Sequence, residues 1–511
     1  MGDLFDGYRW GSARDEVLVG PAEPRDEARG LYEALSRLSP ADLADRSGAL
    51  ARAFRDQGIT FSLSGEERPF PLDLVPRLLA AEEWRLIERG VIQRLLALEA
   101  FLDDLAGTQE VLKDGVVPRR LVVTSAAYAR AAHGIKPANG VRIHVSGIDV
   151  VRDEEGVLRV LEDNLRTPSG VSYVLENRRA MARVLPDLFS THRVRPVAEY
   201  PARLLAALRA AAPAGINDPT VVVLTPGVYN SAYFEHSLLA RTMGLQLVEG
   251  RDLECRDGAL WMRTTAGRQQ VDVLYRRIDD EFLDPLHFRP DSVVGCPGLL
   301  NVARAGRVTI ANAVGNGVAD DKLLYTYVPD LIRYYLGEAA VLPNVDTYRL
   351  EDPDVLEYVL ARLGEVVLKP VDGSGGQGIV IGPQATDAQL RALAVAVRAD
   401  PRAWIAQRVV QLSTCPTQVA DRLAPRHVDL RPFAVNDGSR VWVLPGGLTR
   451  VALSEGSLVV NSSQGGGSKD TWVLADEEAP AELPLLVLQG SPPLSSARAP
   501  QAPGPQLQDQ Q

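Results

Sequence analysis

Cysteine is scarce in this chain: Cys255, Cys296 and Cys415 are the three in 511 residues, and they form no CxxC or metal-ligand spacing. A sparse, odd, well-separated set fits a reducing compartment and offers no disulfide framework. An excess of positive charge is also missing. Lys and Arg number 55 against 66 Asp and Glu, for a net charge of −11, which argues against an extended nucleic-acid-binding surface. No apolar run approaches the length of about 18 residues that a membrane span needs. The opening MGDLFDGYRW lacks the apolar core and cleavage pattern of a signal peptide, and Asp6 and Gly7 stand where a myristoylated chain would carry Ser or Thr. These absences predict a cytoplasmic protein with neither membrane nor nucleic acid as partner, and they name no protein partner.

Also missing are an internal repeat, a Walker-A closure by Gly-Lys-Ser/Thr, and a Ser-His-Asp arrangement. His144, His236, His287 and His427 share no spacing and read as structural or surface residues. What is present is an ordinary globular composition, 46% hydrophobic and 24% charged, with enough length for two or three packed units. Helical periodicity runs from Arg29 to about Leu105, with Leu78, Leu79, Trp84, Ile87, Val91 and Leu95 in its later part. RLVVTSAAY from Arg120, VRIHVSGIDVV and VLRVLEDN then read as strands, followed by a helix through Val174 to Leu188. From Pro219 a strand–loop–helix–strand run predicts a doubly wound α/β unit of parallel-sheet type. EVVLKP, WIAQRVV, HVDLRPFAV, RVWVLPGGLTRVAL and GSLVV are later strand candidates, and the Pro- and Gln-rich end from about Glu477 predicts disorder.

Three stretches could carry chemistry. In VVLKPVDGSGGQGIVIG (366–382) a strand ends on Lys369, a loop of Gly373, Ser374, Gly375, Gly376, Gln377 and Gly378 follows, and a second strand returns. Glycines let backbone N–H groups approach a polyphosphate, and the lysine adds a point charge; the plainer reading is a hairpin turn with spare glycines. WIAQRVV offers a strand edge for adenine, HVDLRPFAV places Asp429 and Arg431 on one face, and NSSQGGGSKDTWV brings Lys469 in a second glycine-rich loop. In IDVVRDEEGVLRVLEDNLRTPSG (148–170), Asp149 sits on one strand and Glu162 and Asn164 on the next. Two carboxylates and an amide oxygen suit Mg²⁺; the alternative is a surface hairpin with ordinary acids, against which stands the asparagine in an apolar strand end.

EDNLRTPSG, NAVGNGVADDK, LKPVDGSGGQG, HVDLRPF, PGGLTRVAL and NSSQGGGSKDTW, in that order, resemble the circularly permuted ATP-grasp family, type 2, related to the synthetase domain of glutathionylspermidine synthase. The Glu-x-Asn motif lies far upstream of Lys369, the inverse of the unpermuted order. The resemblance implies an α/β (α+β) circularly permuted ATP-grasp fold with a central doubly wound unit. Its expected parts are an irregular start (1–25), a helical region (26–118), a metal-binding part of the core (119–215), a substrate-side α/β unit (216–328), the lid and remaining nucleotide core (329–475) and a tail (476–511).

The resemblance further implies that Asp149, Glu162 and Asn164 hold Mg²⁺ on ATP, that Lys322 and Lys369 contact its phosphates under the lid Gly373–Gly378, and that Gln407 and Val409 form the adenine hinge. Arg431 and Lys469 are the candidates for assisting phosphoryl transfer. Thr167 and Ser169 match substrate hydroxyl positions, and Arg276 or Arg277 could hold a substrate carboxylate or be structural. Gly147 stands where the glutathionylspermidine enzyme carries its substrate arginine. The implied activity is an ATP-dependent carboxylate–amine ligase forming an acyl phosphate from small-molecule or peptide substrates. Alternatives are a small-molecule kinase and a nucleotide-binding partner without turnover.

Overall fold

Helix Ala81–Ala106 buries Trp84, Ile87, Val91, Leu95, Leu98, Phe101, Leu102 and Leu105, a stripe at three- and four-residue steps that fixes which side faces inward. Each such side chain contributes about 1.5–3 kcal/mol by leaving water. Gly90 lies in that stripe because a Cβ there would come within 2.4 Å of Leu342 Cγ, so the helix and the segment before Val345 approach more closely than alanine would permit. In the computed structural model, which describes residues 4–63, 66–372, 378–460 and 466–476, this helix covers one face of a large sheet.

The large sheet has nine strands. Along its main path run Val441–Val443, Phe433–Asn436, Val145–Arg152, Arg422–Arg431, Leu448–Val451, Gly467–Val473 and Leu72–Leu79. Leu158–Asn164 pairs beside Val145–Arg152, and Thr414–Val419 beside Arg422–Arg431. Ile148, Val150, Leu430, Ala434 and Val443 point toward the long helix, whereas Val145, Phe433, Val435, Leu448 and Trp472 pack with helices Pro40–Asp56, Val171–Val184 and Tyr200–Ala210 on the other face. This two-sided burial follows from the alternation of strand side chains.

Three expectations from sequence need correction. Leu78 and Leu79 end a strand that pairs in parallel with Gly467–Val473, so the first hundred residues also contribute to the main sheet. That strand is buried on both faces, and a continuous apolar run cannot be told from a helix by its period. The run at Arg120 is a short helix, Arg119–Val123, again too short for periodicity to decide. Gly456–Val460 forms no strand; Leu458 and Val460 instead pack on Val345, Val410 and Leu412.

The central α/β unit is as expected. Thr309–Ala311, Val273–Arg276, Val221–Leu224 and Gln246–Val248 form a four-stranded parallel sheet in that order. Asn312, just past its edge strand, joins it to the large sheet: its Oδ1 accepts from the N–H groups of His144 and Val145 at 2.8 Å, and its Nδ2 donates to the Val145 and Leu165 carbonyls at 2.7 and 2.9 Å. A separate sheet of Thr347–Arg349, Trp404–Arg408, Val366–Pro370 and Val380–Ile381 carries Lys369. No described helix is long and apolar enough to cross a membrane.

Candidate functional site

The antiparallel hairpin of Val145–Arg152 and Leu158–Asn164 places Asp149 opposite Glu162 and Gly147 opposite Asn164. Asp149 is buried and receives Arg431 in a two-pronged pair, Nε at 2.5 Å and Nη2 at 2.8 Å, while Arg450 Nη2 donates at 2.6 Å. Arg450 is shared with Asp429, its cross-strand neighbour. Burial alone would raise the Asp149 carboxyl, but the two guanidinium groups outweigh it and hold the group below the usual carboxylate range. Gly147 makes this possible. A Cβ there would stand 3.1 Å from both Arg431 Cδ and Pro168 Cβ, so the glycine gives the arginine its path across the strand.

Glu162 is the half-buried carboxylate of the hairpin. Its pKa is raised, first by burial and then by Asp149, against the opposing pull of Lys369, Arg431 and Lys322. Arg431 Nη2 lies 3.8 Å from Glu162 Oε1. Lys369 is buried at the end of its strand and is pushed down to about 8 by burial, with Lys322 adding to the shift and Glu162 and Asp149 opposing it. Lys322 opens a short helix capped by Asp321, and its Nζ lies 3.5 Å from the Val371 carbonyl, beside the chain that leaves Lys369. Four distant stretches of sequence therefore bring two lysines and two arginines around two carboxylates.

The remaining expected residues divide. Gln407 is buried, with its amide donating to Thr347 Oγ1 at 3.0 Å, and its strand lies between two neighbours. The expected free edge for adenine is thus closed, and Val409 follows just past the strand end. Gly378 has φ +73°, a conformation suited to glycine, whereas Gly373, Ser374, Gly375, Gly376 and Gln377 lie outside the described residues. Lys469 is a correction. It is fully buried, paired with Asp73 and donating to the Val75 and Pro416 carbonyls at 3.1 and 2.8 Å, so every proton of its ammonium has a protein acceptor. Of the two readings left open for Arg276, its contacts are those of the structural one: it donates to the carbonyls of Asn312, Ile278 and Ala313 and pairs with Asp280 at 2.7 Å.

Arg277 is only partly committed. Its Nη2 donates to Ser169 Oγ at 2.6 Å and Glu235 Oε1 at 2.9 Å, while its buried Nε has no partner. Glu235 also accepts from the N–H groups of Gly170 and Ser172, so it anchors the turn that carries Thr167 and Ser169. That turn touches the hairpin cluster directly, through Arg431 Nη1 and the Ser169 carbonyl at 3.3 Å. The sequence reading did not single out Arg450, for which the arginine in LTRVAL was the available signal. Glu235 reads as part of a loop at a strand end where ligands commonly bind, but its pairing with Arg277 was not legible.

Asn164 Nδ2 is buried without a hydrogen-bond partner, a donor open to an acceptor such as a phosphate oxygen; a cation would be held through carboxylate and amide oxygens. Among the described residues no group of three or more His, Cys, Asp or Glu is placed to hold a metal ion, and the hairpin's own set is two carboxylates and one amide.

Residues 76–452 match the model of the circularly permuted ATP-grasp type 2 family. The chain belongs to this family. A Mycobacterium bovis protein whose name states no function is 62% identical over 490 residues, covering 95% of this chain and 89% of its own. A Frankia alni protein whose name proposes a glutamate–cysteine ligase is 47% identical over 462 residues, covering 90% of this chain but 53% of its own, so that name describes a much longer polypeptide. Among solved structures, a glutathione synthetase-like effector of Globodera pallida superposes with a TM-score of 0.57 at 13% identity, covering 86% of this chain and 98% of that one. At that identity the likeness shows the permuted ATP-grasp fold alone.

Proposed function

We propose that this ATP-grasp protein is an ATP-dependent carboxylate–amine ligase that activates an acid as its acyl phosphate. The observation that carries the reading is the convergence of Lys322, Lys369 and Arg431 on Glu162, with Asp149 held beside it. Such a cluster neutralises and aligns a phosphoryl group in flight, which is the main demand of this chemistry. Glu162 and Asn164 would hold Mg²⁺, joined by Asp149 if Arg431 turns from it toward the phosphate; the ion would supply charge neutralisation between phosphates.

Lys369 and Lys322 bind the phosphates. Val409, just past the strand end, borders the base. Arg431 stabilises charge developing on the transferred group. Thr167 and Ser169 face the acid, with Arg277 holding the Ser169 hydroxyl from behind. The ligase named for the Frankia alni relative agrees with this reaction class, and its substrates are not carried over.

The decisive experiment is thermal unfolding with and without Mg-ATP, followed by incubation with candidate acids and hydroxylamine. A Mg-dependent rise in Tm that Lys369→Ala and Glu162→Ala both lose is expected, with hydroxamate formed from the true acid. No rise at millimolar ATP overturns the proposal. Phosphorylated product without hydroxamate identifies a kinase, and tight ATP binding without turnover a binding protein.

A further inference from the structure

Cys255 and Cys296 stand 41 positions apart in sequence, yet their Sγ atoms lie 3.6 Å from each other. Nothing in the spacing hints at this pairing, because strand Leu253–Arg256 and the loop before helix Leu299–Arg304 meet only in the fold. Cys255 is half-buried and Cys296 fully buried.

The surrounding backbone is held in register. The Cys296 N–H donates to the Leu283 carbonyl at 2.9 Å, and Asp284 accepts from the N–H groups of Leu286, Gly298 and Leu300 at 2.9–3.0 Å. Gly295 packs so closely that a Cβ would lie 2.1 Å from the Phe282 carbonyl oxygen. The contact between the thiols is thus set by packing on both sides. Neither sulfur takes part in the hairpin cluster. The hydrogen bond from Cys255 lowers the Cys296 thiol from its usual range, which favours the reactive thiolate there.

We propose that Cys255 and Cys296 are a redox modification site that closes to an intrachain disulfide on exposure to a peroxide. One of the two sulfurs, as its thiolate, attacks hydrogen peroxide, breaking the O–O bond to give a sulfenic acid and water. The other sulfur then displaces the sulfenic oxygen, forming the S–S bond and a second water. Two thiols together lose two electrons and two protons. A dithiol reverses the change by exchange. An S–S bond is about 2.05 Å long, so closure requires small side-chain rotations rather than loop movement. The bond ties the small sheet of Leu253–Arg256, Ala259–Thr264 and Gly267–Val271 to a segment whose Leu286 and Val293 are exposed.

The test is to treat the full chain with hydrogen peroxide, block the remaining thiols in denaturant, and map a non-reduced digest by mass spectrometry. A peptide joining Cys255 to Cys296, about 2 Da lighter than the sum of its halves and separated by dithiothreitol, is expected. Only Cys415 is then alkylated, and Cys255→Ser abolishes the linked peptide. Sulfinic acid at Cys255 without a link, a link between chains, or three thiols still alkylated would each overturn the proposal. Mapping in the wild-type chain keeps the test valid even if a variant folds poorly.

Discussion

Lys469 and Lys369 are both buried lysines beside carboxylates, one on the strand next to the edge of the large sheet and the other near the end of a strand in a neighbouring sheet. Around Lys469 every donor ends on a protein acceptor: Asp73 and two carbonyls. Nearby, Arg77 and Arg152 converge on Glu16, which also accepts from Ser413 Oγ at 2.6 Å. Around Lys369, by contrast, burial and the neighbouring Lys322 outweigh Glu162 and Asp149, and its own pKa falls. Burial and residue type do not separate a structural ion pair from a candidate binding site. Whether the charge is balanced by the protein itself does.

The sharpest way to break this contrast is to remove each lysine. Lys469→Ala leaves Asp73 and two carbonyls unmatched and is expected to cost about 3–5 kcal/mol, read from the denaturant midpoint. A loss below about 1 kcal/mol would dissolve the distinction. Gly147→Ala pushes a methyl group against Arg431 and Pro168 and should cost about 1–3 kcal/mol, weakening Mg-ATP binding as Arg431 leaves Asp149. Lys369→Met should leave stability almost unchanged or slightly raised, yet abolish the Mg-ATP shift in Tm. A large loss of stability would instead make Lys369 another structural lysine.

The finest test is pH. Below about 8 folded and unfolded chains both keep the Lys369 proton, whereas between about 8 and its ordinary value of 10.5 only the unfolded chain keeps it. Stability from this group therefore rises with pH through that window, and the rise should vanish in Lys369→Met when unfolding curves are compared. Phosphate affinity should move the other way, weakening as the ammonium discharges near pH 8. Lys369→Arg, which stays charged, should flatten that decline in a binding titration.

Much of the site was legible before the fold was known. Alternation put Glu162 and Asn164 on one side of a strand next to the one carrying Asp149, and in the fold Asp149 stands opposite Glu162. Asp429 and Arg431 followed the same rule, but their partners did not: that Arg450 bridges Asp149 and Asp429 depends on a strand pairing not written in its own residues. Lys469 misled because a glycine-rich approach and a lysine look alike whether the strand beyond is exposed or buried. Gln407 misled similarly, since a strand's neighbours are not written in its own residues.

The sequence alone determined the elements with strong periods, the family through its ordered motifs, and the identity of the hairpin acids, because these depend on contacts within a few residues. Tertiary structure decided which charges are balanced and which are spare, that Gly147 makes room for Arg431, and that Cys255 meets Cys296. The physical reason is that charge balance and close approach are properties of neighbours in space. In a chain that builds one sheet from residues 72 through 473, those neighbours come from hundreds of positions away.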